Sequence, residues 1–148
     1  MTELANPFLD WLWAGASRPL GTWLMAAAPA TAEAMGHVGF DFLVIDMEHV
    51  PIGIPDLAHI LRAVGCTPAE PVVRLAWNDP VLVKRAMDAG ARSLMLPFVQ
   101  TAAEAEAAAR AMRYPPEGSR GVAAVHRASR YGREPDYLRH ANGAVCTI

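Results

Sequence analysis

Lysine is almost absent from this chain of 148 residues: of its 13 basic residues, Lys84 is the one lysine and the rest are arginines. Chemistry that runs through a Schiff-base lysine therefore has a single candidate. Cysteine is as sparse. Cys66 and Cys146 cannot build a disulfide framework, and beside seven methionines they suit a reducing, cytoplasmic setting. An excess of positive charge is missing too: 13 basic against 15 acidic residues leave a net charge of −2 and a pI near 6.2, which argues against a nucleic-acid-binding surface. No charged opening followed by an apolar run marks a secretory leader. The apolar stretches break within about ten residues, short of the roughly 20 that a membrane helix needs. The G-x-G-x-x-G, P-loop and G-x-S-x-G signatures are absent, and no Cys/His spacing fits a structural zinc site.

What is present is a folding chain: 53% of residues are hydrophobic and 19% charged, at a length that fits one domain. Pro7–Ala16, with Trp11 and Trp13, reads as a short packing helix within an N-terminal segment, residues 1–20. From Gly21 onward strands and helices alternate. Strands are expected at Thr22–Ala26, Phe42–Asp46, Pro71–Leu75, Ser93–Val99 and Val145–Ile148. Phe42–Asp46 is a continuous apolar run closed by a carboxylate, as in a parallel strand buried on both faces. Helices are expected at Ala30–Gly36, at Ile54–Val64 with apolar residues three and four apart, and from Asp79–Pro80 to Ala89. Thr101–Arg113 opens on a capping box with Glu104, and Asp136–Asn142 reads as a short helix. Residues 114–135 form a long loop rich in Pro, Gly and Arg, and loops of that length inside a compact domain are usually functional. The strand–helix alternation indicates a parallel sheet. Pattern alone leaves a doubly wound sheet and a barrel both open.

Polar residues gather at the expected strand ends, where parallel α/β folds bind ligands. Asp46, Glu48 and His49 follow one apolar run, and Arg74 ends the next. An arginine there can bind a carboxylate or polarise a carbonyl oxygen, and a histidine, oriented by Asp46, can move a proton near neutral pH. The plainer readings are a loop histidine and a structural ion pair from Arg74 to Asp46 or Glu48. Cys66 and Cys146 read as packing residues and Trp77 as core or interface.

The run Phe40–His49 (FDFLVIDMEH) is similar to a motif of the HpcH/HpaI aldolase family, the metal-dependent class II pyruvate aldolases. Further matches are Pro71–Arg74 (PVVR), Trp77–Pro80 (WNDP), Val83–Ala91 (VKRAMDAGA), Leu94–Gln100 (LMLPFVQ), Arg113–Val122 (RYPPEGSRGV) and Ala128–Gly132 (ASRYG), in family order from Gly21 to the end. The resemblance implies an α/β fold: the N-terminal half of a (β/α)8 TIM barrel, about four and a half β/α units, forming a single partial barrel domain over residues 1–148. It implies a lyase that reversibly cleaves 4-hydroxy-2-oxo acids to pyruvate and a small aldehyde, of the kind used in aromatic-compound catabolism. A divalent metal (Mg, Mn or Co) would serve as Lewis acid, in a homo-oligomer without nucleic-acid or membrane partners. Carried over by position, Arg74 corresponds to the arginine that holds the pyruvate carbonyl and His49 to the acid/base histidine. Asp46 and Asp88 correspond to carboxylates supporting that histidine, and Glu48 has no firm role. The citrate-lyase-like branch that acts on CoA thioesters fits these motifs less well.

Three expectations depart from a simple carry-over. Asp88 closes a helix, so it should lie on the face away from the site and serve a neighbouring subunit. Arg120, Arg127, Arg130 and Arg133 are expected to contact a neighbouring subunit in preference to a substrate carboxylate. The family's metal ligands fall past the fifth strand, so no metal ligand is expected within the chain. The chain then reads as truncated, with a catalytically dead remnant or oligomerisation module as the alternative to an active lyase.

Overall fold

The computed structural model describes residues 4–15 and 18–148. It contains one sheet of five parallel strands: β1 (Gly21–Leu24), β2 (Phe42–Asp46), β3 (Glu70–Arg74), β4 (Ser93–Met95) and β5 (Cys146–Thr147). Spatial order equals sequence order, β1-β2-β3-β4-β5. A doubly wound sheet reverses direction at a switch point. This one never does, so the alternation builds barrel-type topology.

The crossovers are α2 (Pro29–His37), α3 (Ile54–Val64), α4 (Pro80–Asp88) and α5 (Ala102–Met112), with α1 (Pro7–Ala14) ahead of the sheet and α6 (Tyr137–His140) near its end. Their limits follow from local chemistry. Asp79 accepts hydrogen bonds from the Val81 and Leu82 amides at the start of α4, and Thr101 and Glu104 exchange capping bonds at the start of α5. β1 and β4 are shorter than the sequence suggests. β4 is cut short because Pro97 has no N–H to donate and Phe98 sits at φ 59°. Helix α1 ends at Ala14 with Gly15 in the left-handed region (φ 60°); Ala16, expected in that helix, lies outside the described residues. β1 begins at Gly21, where a Cβ would stand 2.3 Å from the Phe42 ring.

The two sheet faces have different cover. Leu24, Leu43, Ile45, Val73 and Leu94 pack against Leu57, Ile60, Val64, Val83 and Met87 of the helices in the main core. The alternate residues Val44, Val72 and Cys146 pack against Phe8 of α1 on the other face. Buried Asn6 fixes α1 there: its Oδ1 accepts from the Leu9 amide at 3.3 Å, while its Nδ2 donates to the Ala144 carbonyl at 2.8 Å. Cys146 is buried, as expected, but Cys66 is exposed, because it follows the end of α3 instead of packing beneath it. Among the described residues, no helix is long and apolar enough to cross a membrane.

Candidate active site

The α1-covered face continues past Val44 and Val72 to Asp46 and Arg74, because side chains on one face recur every second residue. The β2–β3 register sets Asp46 opposite Arg74 at the strand ends. Arg74 donates from Nε to Asp46 Oδ1 at 3.0 Å and from Nη2 to Oδ2 at 2.7 Å, a two-pronged pair. Its Nη1 lies 3.2 Å from Glu48 Oε2. Its guanidinium carbon stands 4.4 Å from the centre of the Trp23 ring, which comes from β1 on the same face.

Asp46 is fully buried and also accepts hydrogen bonds from the backbone N–H groups of Glu48 (2.9 Å) and His49 (3.2 Å). Burial works against its negative charge. The Arg74 hydrogen bond, the two backbone bonds and the Arg74 charge together outweigh burial and hold the carboxyl below its usual range. The same hydrogen bond from Arg74 to Asp46 raises the guanidinium's own pKa against the opposing effect of burial. Asp46 therefore shapes the turn that presents His49 and does not touch the imidazole. The carboxylate beside that ring is Glu48, whose Oε1 is 3.6 Å from Nε2. The histidine side chain is 65% exposed and Glu48 is 14% exposed, so the imidazole stands at the rim with one carboxylate behind it.

Asp46, Glu48, His49 and Arg74 thus form one cluster. Asp88 is not in it. As the last residue of α4 it lies toward the strand N-termini, where Arg120 Nη2 donates to it at 2.7 Å and His126 Nε2 stands 3.7 Å away. Burial lowers the His126 pKa, a shift that Arg120 reinforces and Asp88 opposes. Arg120, Arg127 and Arg130 all make contacts within the chain: Arg127 donates to the Ala89 and Leu61 carbonyls, and Arg130 pairs with Glu134. Lys84 lies on α4, and the Cβ of an alanine at position 121 would stand 3.3 Å from its Cδ, so its stem packs on the long loop.

Two further aromatic groups adjoin the cluster. Trp23 belongs to none of the motifs above, and its register partner Val44 sets it on the face of Asp46. Trp77, expected in the core or an interface, is 54% exposed, and its ring centre lies 5.2 Å from that of Phe98. The two follow β3 and β4 at the same sheet end as Arg74 and give it an apolar rim.

The HpcH/HpaI aldolase/citrate lyase profile matches residues 20–147. The chain belongs to that family. It is 59% identical over 132 residues to 2-dehydro-3,6-dideoxy-6-sulfogluconate aldolase of Pseudomonas putida, covering 89% of this chain and 52% of that one. It is 48% identical over 145 residues to 4-hydroxy-2-oxo-heptane-1,7-dioate aldolase of Klebsiella pneumoniae, covering 97% and 54%. A crystal structure of an HpcH/HpaI aldolase/citrate lyase family protein from Burkholderia cenocepacia J2315 superposes with a TM-score of 0.95 at 44% identity, over 97% of this chain and 58% of that one. The chain spans about half the length of the curated relatives it matches.

A divalent metal does not fit the donors in this cluster. Both Asp46 oxygens accept from Arg74, Glu48 faces the same cation, and among the described residues no three His, Cys, Asp or Glu side chains converge. A metal ion placed between these carboxylates would displace, or be repelled by, the guanidinium.

Proposed function

We propose that this HpcH/HpaI chain supplies the pyruvate-holding half of a carbon–carbon lyase that cleaves 4-hydroxy-2-oxo acids to pyruvate and an aldehyde. The observation that carries the reading is Arg74. Its contacts with Asp46 and Glu48 engage the Nε hydrogen, one on Nη2 and one on Nη1, so one N–H on each terminal nitrogen remains to meet a keto acid. The Asp46 clamp and the Trp23 ring fix its direction. Cleavage leaves negative charge on the former carbonyl oxygen, and a donor fixed in advance at that oxygen stabilises it. His49, beside Glu48, takes the proton from the 4-hydroxyl as the aldehyde departs. Asp88 enters this site only as the contribution of a neighbouring copy in a homo-oligomer. The divalent metal implied by the resemblance takes its ligands from the part of the barrel that the relatives have and this chain does not span. The setting is cytoplasmic.

The test uses the chain joined to the second half of the Pseudomonas putida relative. Pyruvate released from a panel of 4-hydroxy-2-oxo acids is read by NADH oxidation with lactate dehydrogenase. Release that falls at least about 100-fold in Arg74→Ala supports the reading, and release unaffected by that change refutes it. The carboxylates' commitment to Arg74 favours a second reading for the chain by itself, a non-catalytic module, which pyruvate release by the unextended chain would exclude.

A further inference from the structure

At the sheet end opposite Arg74, where α4 stops and β4 and β5 begin, lies a half-open cavity of about 390 Å³. Four arginines line it, Arg92, Arg120, Arg127 and Arg130, together with Tyr131 and Tyr137. The described residues that line it include no Asp or Glu. A space of this size is in the range that holds a small molecule.

Arg120 and Arg130 are paired with carboxylates that do not line the cavity, and among the described residues Arg127 has no carboxylate partner. Arg127 spends its guanidinium on two neutral carbonyls, those of Ala89 and Leu61. Burial lowers its pKa, and the like charges of Arg62 and Arg92 lower it further. Arg92 donates to the Ala5 carbonyl and approaches Glu70 only to 4.0 Å. Arg130 reaches Glu134 at 3.3 Å, but that carboxylate does not line the cavity.

Arg120 is decisive. It is 3% exposed, gives Nη2 to Asp88 and lies 4.4 Å over the Tyr114 ring. Among the described residues its Nε has no hydrogen-bond partner. A buried N–H on a charged group without an acceptor is rare in folded chains and calls for an unseen partner. The partner that suits guanidinium forks is an oxyanion.

We propose that this cavity is a binding site for a small organic oxyanion, whose carboxylate or phosphate group accepts from Arg120 Nε and is flanked by Arg92, Arg127 and Arg130. Within one chain the site lies at the other sheet end from the Arg74 cluster, since Arg92 precedes β4 and Arg74 ends the parallel strand β3. Within one chain its ligand is held apart from the reacting atoms at Arg74.

Thermal unfolding of the intact chain, titrated with inorganic phosphate and separately with succinate, tests this. Each titration is compared with sodium chloride at equal ionic strength. The expected result is a saturable rise in Tm with at least one of them. Phosphate alone assigns a phosphate ligand, and succinate alone a carboxylate. In the double variant Arg92→Gln/Arg130→Gln, which leaves Arg120 and its Asp88 pair in place, the apparent Kd should weaken by about tenfold or more. If the double variant does not fold, Arg130→Gln alone, at an exposed position, is titrated and should weaken binding in the same direction. A response no larger than that to chloride overturns the proposal. Wild-type affinity in the variants would put the anion elsewhere and overturn it equally.

Discussion

Arg74 and Asp46 are register partners at the ends of neighbouring parallel strands, joined by two hydrogen bonds of 3.0 and 2.7 Å with Asp46 fully buried. This pair joins stability to the proposed chemistry. Changing Asp46 to Ala would leave Arg74 without its clamp and the Glu48 and His49 amides without their acceptor. Breaking a buried pair from one side costs about 3 kcal/mol or more. Urea denaturation of Asp46→Ala should show a loss of this size, and a loss below about 1 kcal/mol would contradict the role given to the pair.

The same pair sets an acid limit. The Asp46 carboxyl is held below its ordinary value in the folded chain, so the unfolded chain binds more protons across the interval between the two. Its contribution is complete above the unfolded carboxylate pKa near 3.9 and disappears as pH falls through the lower folded value. His126 has the same sign at higher pH. Burial lowers its pKa from about 6.5, so its contribution is complete above that value and is lost as pH falls toward the folded one. Stability measured between pH 7 and 5 should fall in the wild type and fall less steeply in His126→Gln. Equal slopes would show that His126 does not carry this dependence.

Gly90 turns the chain between α4 and β4 at φ 113°, and a Cβ there would stand 2.1 Å from Arg127 Nη1. Alanine at this position meets both backbone strain and an arginine held by two carbonyls. Gly90→Ala should lower stability by about 2 kcal/mol. A smaller effect than in Gly143→Ala, where a Cβ meets nothing within 4 Å, would contradict this account of the turn.

Trp23 supports the Arg74 guanidinium at 4.4 Å. Removing the ring in Trp23→Ala should cost about 0.5–1 kcal/mol of stability. Trp23→Phe should restore part of it. An alanine variant as stable as the wild type would leave the stacked ring without an energetic role.

Lys84 sits on α4, outside the Arg74 cluster. Treatment with pyruvate and borohydride should therefore leave the intact mass unchanged. A covalent adduct on Lys84 would contradict the arginine-centred mechanism.

Much of this fold was legible because its signals are local. The cap at Asp79, the capping box of Thr101 and Glu104, and the spacing of Leu57, Ile60, Leu61 and Val64 each specify an element within a few residues. Strand ends were less legible. β4 ends at Met95, inside the apolar run Ser93–Val99, and that run hides the break imposed by Pro97 and Phe98. The choice between barrel and doubly wound sheet depends on strand order, which no local pattern encodes. In the cluster, Asp46 and Arg74 were visible at strand ends. The ion pair of Arg74 with Asp46 and Glu48 agrees with the plainer reading of these residues, whereas the Trp23 ring depends on how the strands align side by side. The partners of Asp88 were hidden for a related reason: Arg120 and His126 come from a loop without periodicity.

The most direct test of the Arg74 cluster is exchange of the pyruvate methyl protons in D2O, followed by proton NMR. It uses the chain completed with the second half of the Pseudomonas putida relative and supplied with Mn²⁺ or Mg²⁺. Enolate formation is the step that Arg74 is proposed to assist, and no aldehyde is needed to observe it. The account predicts exchange in this protein and its loss in Arg74→Ala. Exchange that persists at the wild-type rate in Arg74→Ala would contradict it.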